Sequence, residues 1–114
     1  MDEIKLKLRE FADKRDWNQF HNPKNLSMAL AGEVGELLEI FQWLKSEECD
    51  KDGISEENLA CVKEELADVL LYLVRIADKL DINLIEEANK KISLNEVKYP
   101  IDKSKSNAVK YNKR

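Results

Sequence analysis

Three glycines and two prolines in a chain of 114 residues leave little material for turns. A many-stranded fold needs a turn every few residues and is disfavoured on that ground. Histidine occurs once, as His21, and cysteine twice, as Cys49 and Cys61. The cysteines form no CxxC and no cysteine–histidine cluster, so a zinc site lacks its usual ligands. Two reduced thiols in a cytosolic protein are expected instead of a disulfide framework. No apolar run approaches the ~20 residues that span a bilayer. The N-terminal MDEIKLKLRE is charged and lacks the apolar core of a secretory signal. An excess of one charge is also lacking, since the formal net charge is only −4. That balance disfavours a general duplex-binding protein, although a local basic patch remains open. The expectation is a soluble, cytoplasmic protein with neither a membrane nor a nucleic acid polymer as partner.

What the chain does contain is helical periodicity. Charged residues make up 37% of it, yet they alternate with long apolar-periodic runs, as in an all-α protein. Residues 2–14 place Ile4, Leu8, Phe11 and Ala12 on one face of a first helix. The segment RDWNQFHNPKN from Arg15 to Asn25 breaks the pattern, with Asn25 a suitable N-cap for the next helix. Trp17 and Phe20 there can staple the loop to the core. A second helix is expected over 26–44, interrupted by Gly32 and Gly35, which allow a close helix crossing or close ligand approach. A polar, acidic loop follows from Lys45 to Gly53. Ser55 then caps a third helix over 56–79. Its core stripe is Val62, Leu66, Val69, Leu73, Ile76, Ala77 and Leu80, and Leu70, Leu71 and Val74 extend the apolar character around most of the circumference. A chain this short has few ways to bury such a helix alone, so a homo-oligomer is expected. Asn83 and Glu86 resemble a capping box for a fourth helix, with Leu84, Ile85, Ala88 and Ile92 inward. Tyr99-Pro100 ends it. Residues 1–100 are thus expected to form one domain and 101–114 a basic tail. From Lys98 onward there are six basic residues and one acid, either a frayed end or an arm over an anionic ligand.

Four acids stand out against this frame. Leu30, Leu37, Leu38 and Phe41 form one stripe of the second helix, and Glu33 lies in its middle. Glu36 falls about 60° to one side on the helical wheel. The third helix repeats the arrangement with Glu65 and Asp68, and Tyr72 follows one turn later. A carboxylate where a core leucine belongs is costly unless something pairs with it. Two such pairs on two helices suggest a shared cation. Their donors are all oxygen, which suits hard cations such as Mg²⁺ or Mn²⁺. A di-iron bundle would need Glu-x-x-His, and an EF-hand a twelve-residue loop; neither is present. A carboxylate magnesium site leaves positions for water and substrate phosphates, so a polyphosphate substrate is indicated. A structural reading also stands, in which the acids merely pair with Lys or Arg.

The runs RDWNQFHNPKNLSMALAGEVGELLEIFQWL and EELADVLLYLVRIADKLDINL, with NEVKYP near the end, resemble the MazG-like all-α nucleoside triphosphate pyrophosphatases, and in particular the small dCTP pyrophosphatase branch. The likeness extends from about Phe11 to Tyr99. It implies a four- to five-helix bundle of the MazG-like type that oligomerises through its central helices, as a homodimer or a dimer-of-dimers tetramer. It further implies Mg²⁺-dependent conversion of a (d)NTP, with dCTP or a related deoxynucleotide favoured, to (d)NMP and pyrophosphate in nucleotide pool clean-up. The family's metal-binding acids match Glu33, Glu36, Glu65 and Asp68. Its base and sugar contacts match Trp17, His21, Trp43 and Tyr72. Its phosphate and sugar contacts match Lys91, Asn95, Lys98 and Tyr99. Glu33, the most deeply placed acid on the wheel, is the expected general base. The alternative is a nucleotide-sensing helical protein with little turnover.

Overall fold

The computed structural model describes residues 1–104, and the basic tail beyond Ser104 lies outside the described residues. The described chain is helical: α1 (Asp2–Lys14), α2 (Pro23–Phe41), α3 (Ser46–Cys49), α4 (Glu56–Lys79), α5 (Leu84–Lys98) and α6 (Ile101–Ser104). It divides into two compact units, Met1–Asp81 and a second beginning at Ile82.

In the first unit α4 packs against both α1 and α2. Arg9 of α1 clamps Asp78 of α4 with two hydrogen bonds, Nε to Oδ2 at 2.7 Å and Nη2 to Oδ1 at 2.6 Å. The Arg9 hydrogen bond holds the Asp78 carboxyl below its ordinary range against the opposing effect of burial. The buried apolar core is small: Ala12, Leu26, Val62, Val74 and Ala77. Several residues expected inside are exposed, among them Leu38 at 60%, Leu66 at 52% and Leu80 at 53%. The reason is geometric. In this unit α4 has α1 and α2 to lean on, and two partners cannot cover a helix that is apolar nearly all round.

Helix ends are set by local chemistry. Asn22, not Asn25, is the N-cap of α2, and its Oδ1 accepts the Asn25 backbone N–H at 2.8 Å. Proline explains the three-residue shift: it is pre-set for the first helical position and holds the preceding residue extended, which is the capping conformation. At its other end α2 stops at Phe41 instead of Leu44. The Lys45 N–H is taken by the Glu48 carboxylate at 2.9 Å, which opens the short helix α3 inside the stretch expected to be plain loop. Gly53 closes that loop against α3, where a Cβ would sit 1.7 Å from the Glu47 carbonyl oxygen. Ser55 caps α4 as expected, accepting from the Asn58 N–H at 3.1 Å.

α1 ends in a Schellman turn. The Trp17 N–H reaches the Ala12 carbonyl at 2.9 Å and the Asp16 N–H reaches Asp13 at 3.2 Å. Asp16 takes the left-handed conformation, φ 53°, that glycine usually supplies, and Asp81 does the same after α4 with φ 54°. In a glycine-poor chain aspartate ends two helices. In the second unit Asn83 caps α5 through the Glu86 N–H at 3.0 Å. Ile85, Ala88 and Ile92, expected inward, are exposed, the two isoleucines at 50% and 56%. No helix among the described residues is long and apolar enough to cross a membrane.

Candidate metal centre and adjoining cavity

The packing of α2 on α4 brings Glu33, Glu36 and Glu65 together. One carboxylate oxygen from each lies within 4.8 Å of the others. Oε2 of Glu33 and Oε2 of Glu65 are buried without a hydrogen-bond partner among the described residues. Buried carboxylate oxygens with no donor are costly. Two things relieve them: a proton, or a cation shared among the three. The Glu65 carboxyl accordingly stands well above its ordinary value, at about 7, first because Glu33 is placed to share a proton with its neutral form, then because burial disfavours its charge, and because Glu36 acts in the same way and adds repulsion. An all-oxygen donor set with unpaired buried atoms fits a hard divalent cation. Asp68 is outside this converging trio. It lies one turn along α4, facing the cavity next to it.

That cavity has a volume of about 270 Å³ and is lined by Leu8, Phe11, Trp17, His21, Leu26, Asp68, Leu71, Tyr72 and Arg75. Three residues matched to base binding, Trp17, His21 and Tyr72, therefore meet around one space, with the fourth acid at its wall. The Schellman turn aims Trp17 there. Its ring meets Phe11 edge-on at 5.6 Å and His21 at 6.0 Å. Phe20, expected to help staple this loop, is instead 58% exposed. His21 is half-buried, and burial first, then the charges of Arg75 and Lys79, push its pKa below the ordinary imidazole value.

Trp43 is not among the cavity residues. It follows the end of α2 and is 86% exposed. Lys91, Asn95 and Lys98 share a face of α5 by their spacing, and Tyr99 caps that helix with its N–H on the Asn95 carbonyl at 2.8 Å. These four belong to the second unit.

Gly32 and Gly35 do not mark a helix crossing within the chain, for a Cβ on either would meet no atom within 4 Å among the described residues. Both flank the carboxylates in sequence and leave their surroundings open. Gly32→Ala should therefore stabilise α2 by about 0.8–1 kcal/mol, the ordinary helix preference for alanine. Urea denaturation checks this. A destabilised variant would mean that a second copy of the chain fills that space.

The residue that sequence reasoning passed over is Arg75. It is buried in the run LLYLVRIA, one turn after Tyr72. The available signal was a cation on an otherwise apolar helix face, on the same side as a site tyrosine.

Comparison with known proteins bears on the family and the fold. A profile of the MazG-like family matches residues 29–113. The dCTP pyrophosphatase 1 of Bos taurus is 42% identical over 111 residues, 97% of this chain and 66% of that protein. The dCTP pyrophosphatase 1 of Homo sapiens is also 42% identical over 111 residues, 97% of this chain and 65% of that protein. The chain thus spans about two thirds of the length of these curated relatives. A solved pyrophosphatase from Archaeoglobus fulgidus matches with a TM-score of 0.79 and 46% identity, over 88% of this chain and 92% of that one. The helical architecture, the family profile and the shared fold together make this chain a member of the MazG-like family.

Proposed function

We propose that this protein is a nucleoside triphosphate pyrophosphohydrolase that converts a (d)NTP, with dCTP or a related deoxynucleotide preferred, to the monophosphate and pyrophosphate in nucleotide pool clean-up. The observation that carries the reading is the convergence of three carboxylate oxygens within 4.8 Å beside a cavity lined by Trp17, His21 and Tyr72. The relatives named dCTP pyrophosphatase 1 and the pyrophosphatase structure support it.

Glu33, Glu36 and Glu65, with Asp68 from the cavity wall, would hold Mg²⁺, or Mn²⁺ in its place. When bound, the ion withdraws charge from the triphosphate and eases nucleophilic attack on it. Glu33 takes the proton of the attacking water as general base. Trp17 and Tyr72 receive the base and sugar, His21 hydrogen-bonds the base edge, and the cavity keeps bulk water away from them. Trp43 adds a stacking face. Lys91, Asn95, Lys98 and Tyr99 are assigned to the phosphates and sugar from the family likeness. The products are the monophosphate and pyrophosphate whichever phosphorus the water attacks.

The same reading includes a homo-oligomer. Leu59, Leu66, Leu73 and Leu80 are spaced seven residues apart along α4 and its C-cap, and all four are exposed, by 38% to 53%. A leucine seam at that period is what a facing helix covers. Dilution in analytical ultracentrifugation should reveal the oligomer, and a clean monomer at micromolar concentration would remove it from the reading.

Trp43→Ala should raise KM while leaving the melting temperature unchanged, because a side chain 86% exposed adds little packing. Base–aromatic stacking is worth about 1–3 kcal/mol, so a rise of roughly fivefold or more is expected. An unchanged KM would remove Trp43 from the substrate contacts.

The activity itself is tested by pyrophosphate release from each dNTP with and without Mg²⁺. Magnesium-dependent release from dCTP is the expected result. Nucleotide binding without release from any dNTP would replace the enzyme with a nucleotide sensor.

A further inference from the structure

We infer that Arg75 sets the base selectivity of this site by locking His21 into one tautomer, which favours a cytosine-type edge over a uracil-type edge. The inference deepens the reading above and rests on it for the identity of the substrate.

Arg75 is only 5% exposed, yet it lines the same cavity as Trp17, His21 and Tyr72. Its donors are assigned. Nε donates to His21 Nδ1 at 3.3 Å, and Nη2 donates to Asn18 Oδ1 at 2.5 Å. Nη1 faces Asp78 Oδ2 at 3.5 Å. Asn18 is fixed from its other end, because its Nδ2 donates to Asp13 Oδ1. Asp78 is held in turn by the two Arg9 bonds. The guanidinium is thus anchored from three directions and cannot turn away from His21.

A guanidinium has donors only and never loses its proton in proteins. The imidazole nitrogen facing it must therefore be the acceptor. Neutral imidazole then carries its proton on Nε2. Burial and the neighbouring positive charges oppose a second proton on the ring. His21 so presents a permanent N–H donor. Among the described residues no hydrogen bond occupies Nε2, and His21 lines the cavity.

A fixed donor reads one feature of a base. At N3 cytosine offers a lone pair, whereas uracil and thymine carry N–H. A donor facing N–H leaves both groups unpaired, and sites of this kind discriminate strongly against such mismatches. A histidine free to exchange tautomers would present an acceptor to uracil and lose the distinction. Arg75 is in this sense a positioning residue, acting through His21.

The wild-type protein gives the first test. His21 is the sole histidine, so ¹H–¹⁵N correlation of the imidazole reads its tautomer without ambiguity. Protonated Nε2 and unprotonated Nδ1 are expected at neutral pH, and a predominant Nδ1–H form would overturn the inference. The second test compares dCMP and dUMP binding by calorimetry, which needs no turnover, with kcat/KM for dCTP and dUTP. The wild type should favour the cytosine nucleotide at least tenfold. Arg75→Leu should shrink that preference by about tenfold, with the dCTP loss in KM. Equal losses for both bases would make Arg75 merely structural, and a wild type without the preference would overturn the inference outright. Absent turnover with the tautomer and binding preference intact would overturn the enzymatic reading and leave this one standing.

Discussion

Glu33→Gln is expected to lower kcat by about 10²–10⁴-fold while making the metal-free protein more stable. The first effect follows from removing the proposed general base, which lies on the helix stripe. The second follows from the geometry of the trio. Oε2 of Glu33 and of Glu65 are buried acceptors with no donor, and a glutamine amide at position 33 brings N–H groups to that spot. The shape of the side chain is kept, so the packing of α2 on α4 is kept with it. Glu65 should then titrate closer to its ordinary value, since the chance to share a proton with the Glu33 carboxylate is the largest influence raising it. Steady-state kinetics and thermal melting in EDTA check both halves. Turnover near the wild-type level would assign the base to another residue. A lower melting temperature in EDTA would mean that the carboxylate at position 33 has a cationic partner in the metal-free protein.

Stabilisation of the protein by magnesium should grow as pH rises between about 4.5 and 7. Glu65 is raised from 4.5 to about 7 in the folded, metal-free chain. Below 4.5 the group is protonated in both folded and unfolded states, and its contribution to stability is fully present. As pH climbs through 4.5 the unfolded chain releases the proton while the folded chain retains it. The contribution is lost progressively until pH passes about 7. His21, whose folded pKa lies below 6.5, acts in the opposite sense, because its contribution is lost as pH falls from 6.5. The measurement is therefore a difference. Melting temperature is followed from pH 4.5 to 8 with EDTA and with saturating Mg²⁺, and the stabilisation by the ion should grow as pH rises through this window. At a hundredfold excess over Kd it should reach about 2.7 kcal/mol. The ion and the proton compete for the same oxygens. A magnesium effect that is independent of pH, or no effect at all, would separate Glu65 from the metal. In Glu33→Gln the Glu65 contribution to the EDTA curve should shrink, which joins this prediction to the first.

Much of this site was legible because its signals are local. Glu33 announces itself by occupying a leucine's place between Leu30 and Leu37, and Glu65 and Asp68 share a face of α4 by spacing alone. Ser55 and Asn83 were readable as caps because capping is a contact three residues long. Asn22 was missed for a local reason too: the cap was sought beyond the proline, although proline belongs at the first helical position. The breaks after α1 and α4 were legible, but the left-handed conformations of Asp16 and Asp81 were not, because aspartate enters that region seldom enough that only glycine serves as a signal.

Other features had no local signature. Apolar periodicity marks which residues a helix would bury but not how many neighbours it has, so Leu66, Leu73 and Leu80 read as core and are exposed on this chain. Arg75, inside an apolar run, had drawn no reading of its own. Its meaning depends on His21 and Asn18, more than fifty residues earlier, being folded against it.

The sequence by itself determined the four long helices, the family resemblance and the spacing of the four candidate acids, because each rests on patterns along single segments. Tertiary structure alone decided that Glu33, Glu36 and Glu65 converge while Asp68 faces the cavity, and that a buried guanidinium meets the one histidine. Those are distances between segments, and the packing of α1 and α2 on α4 sets them.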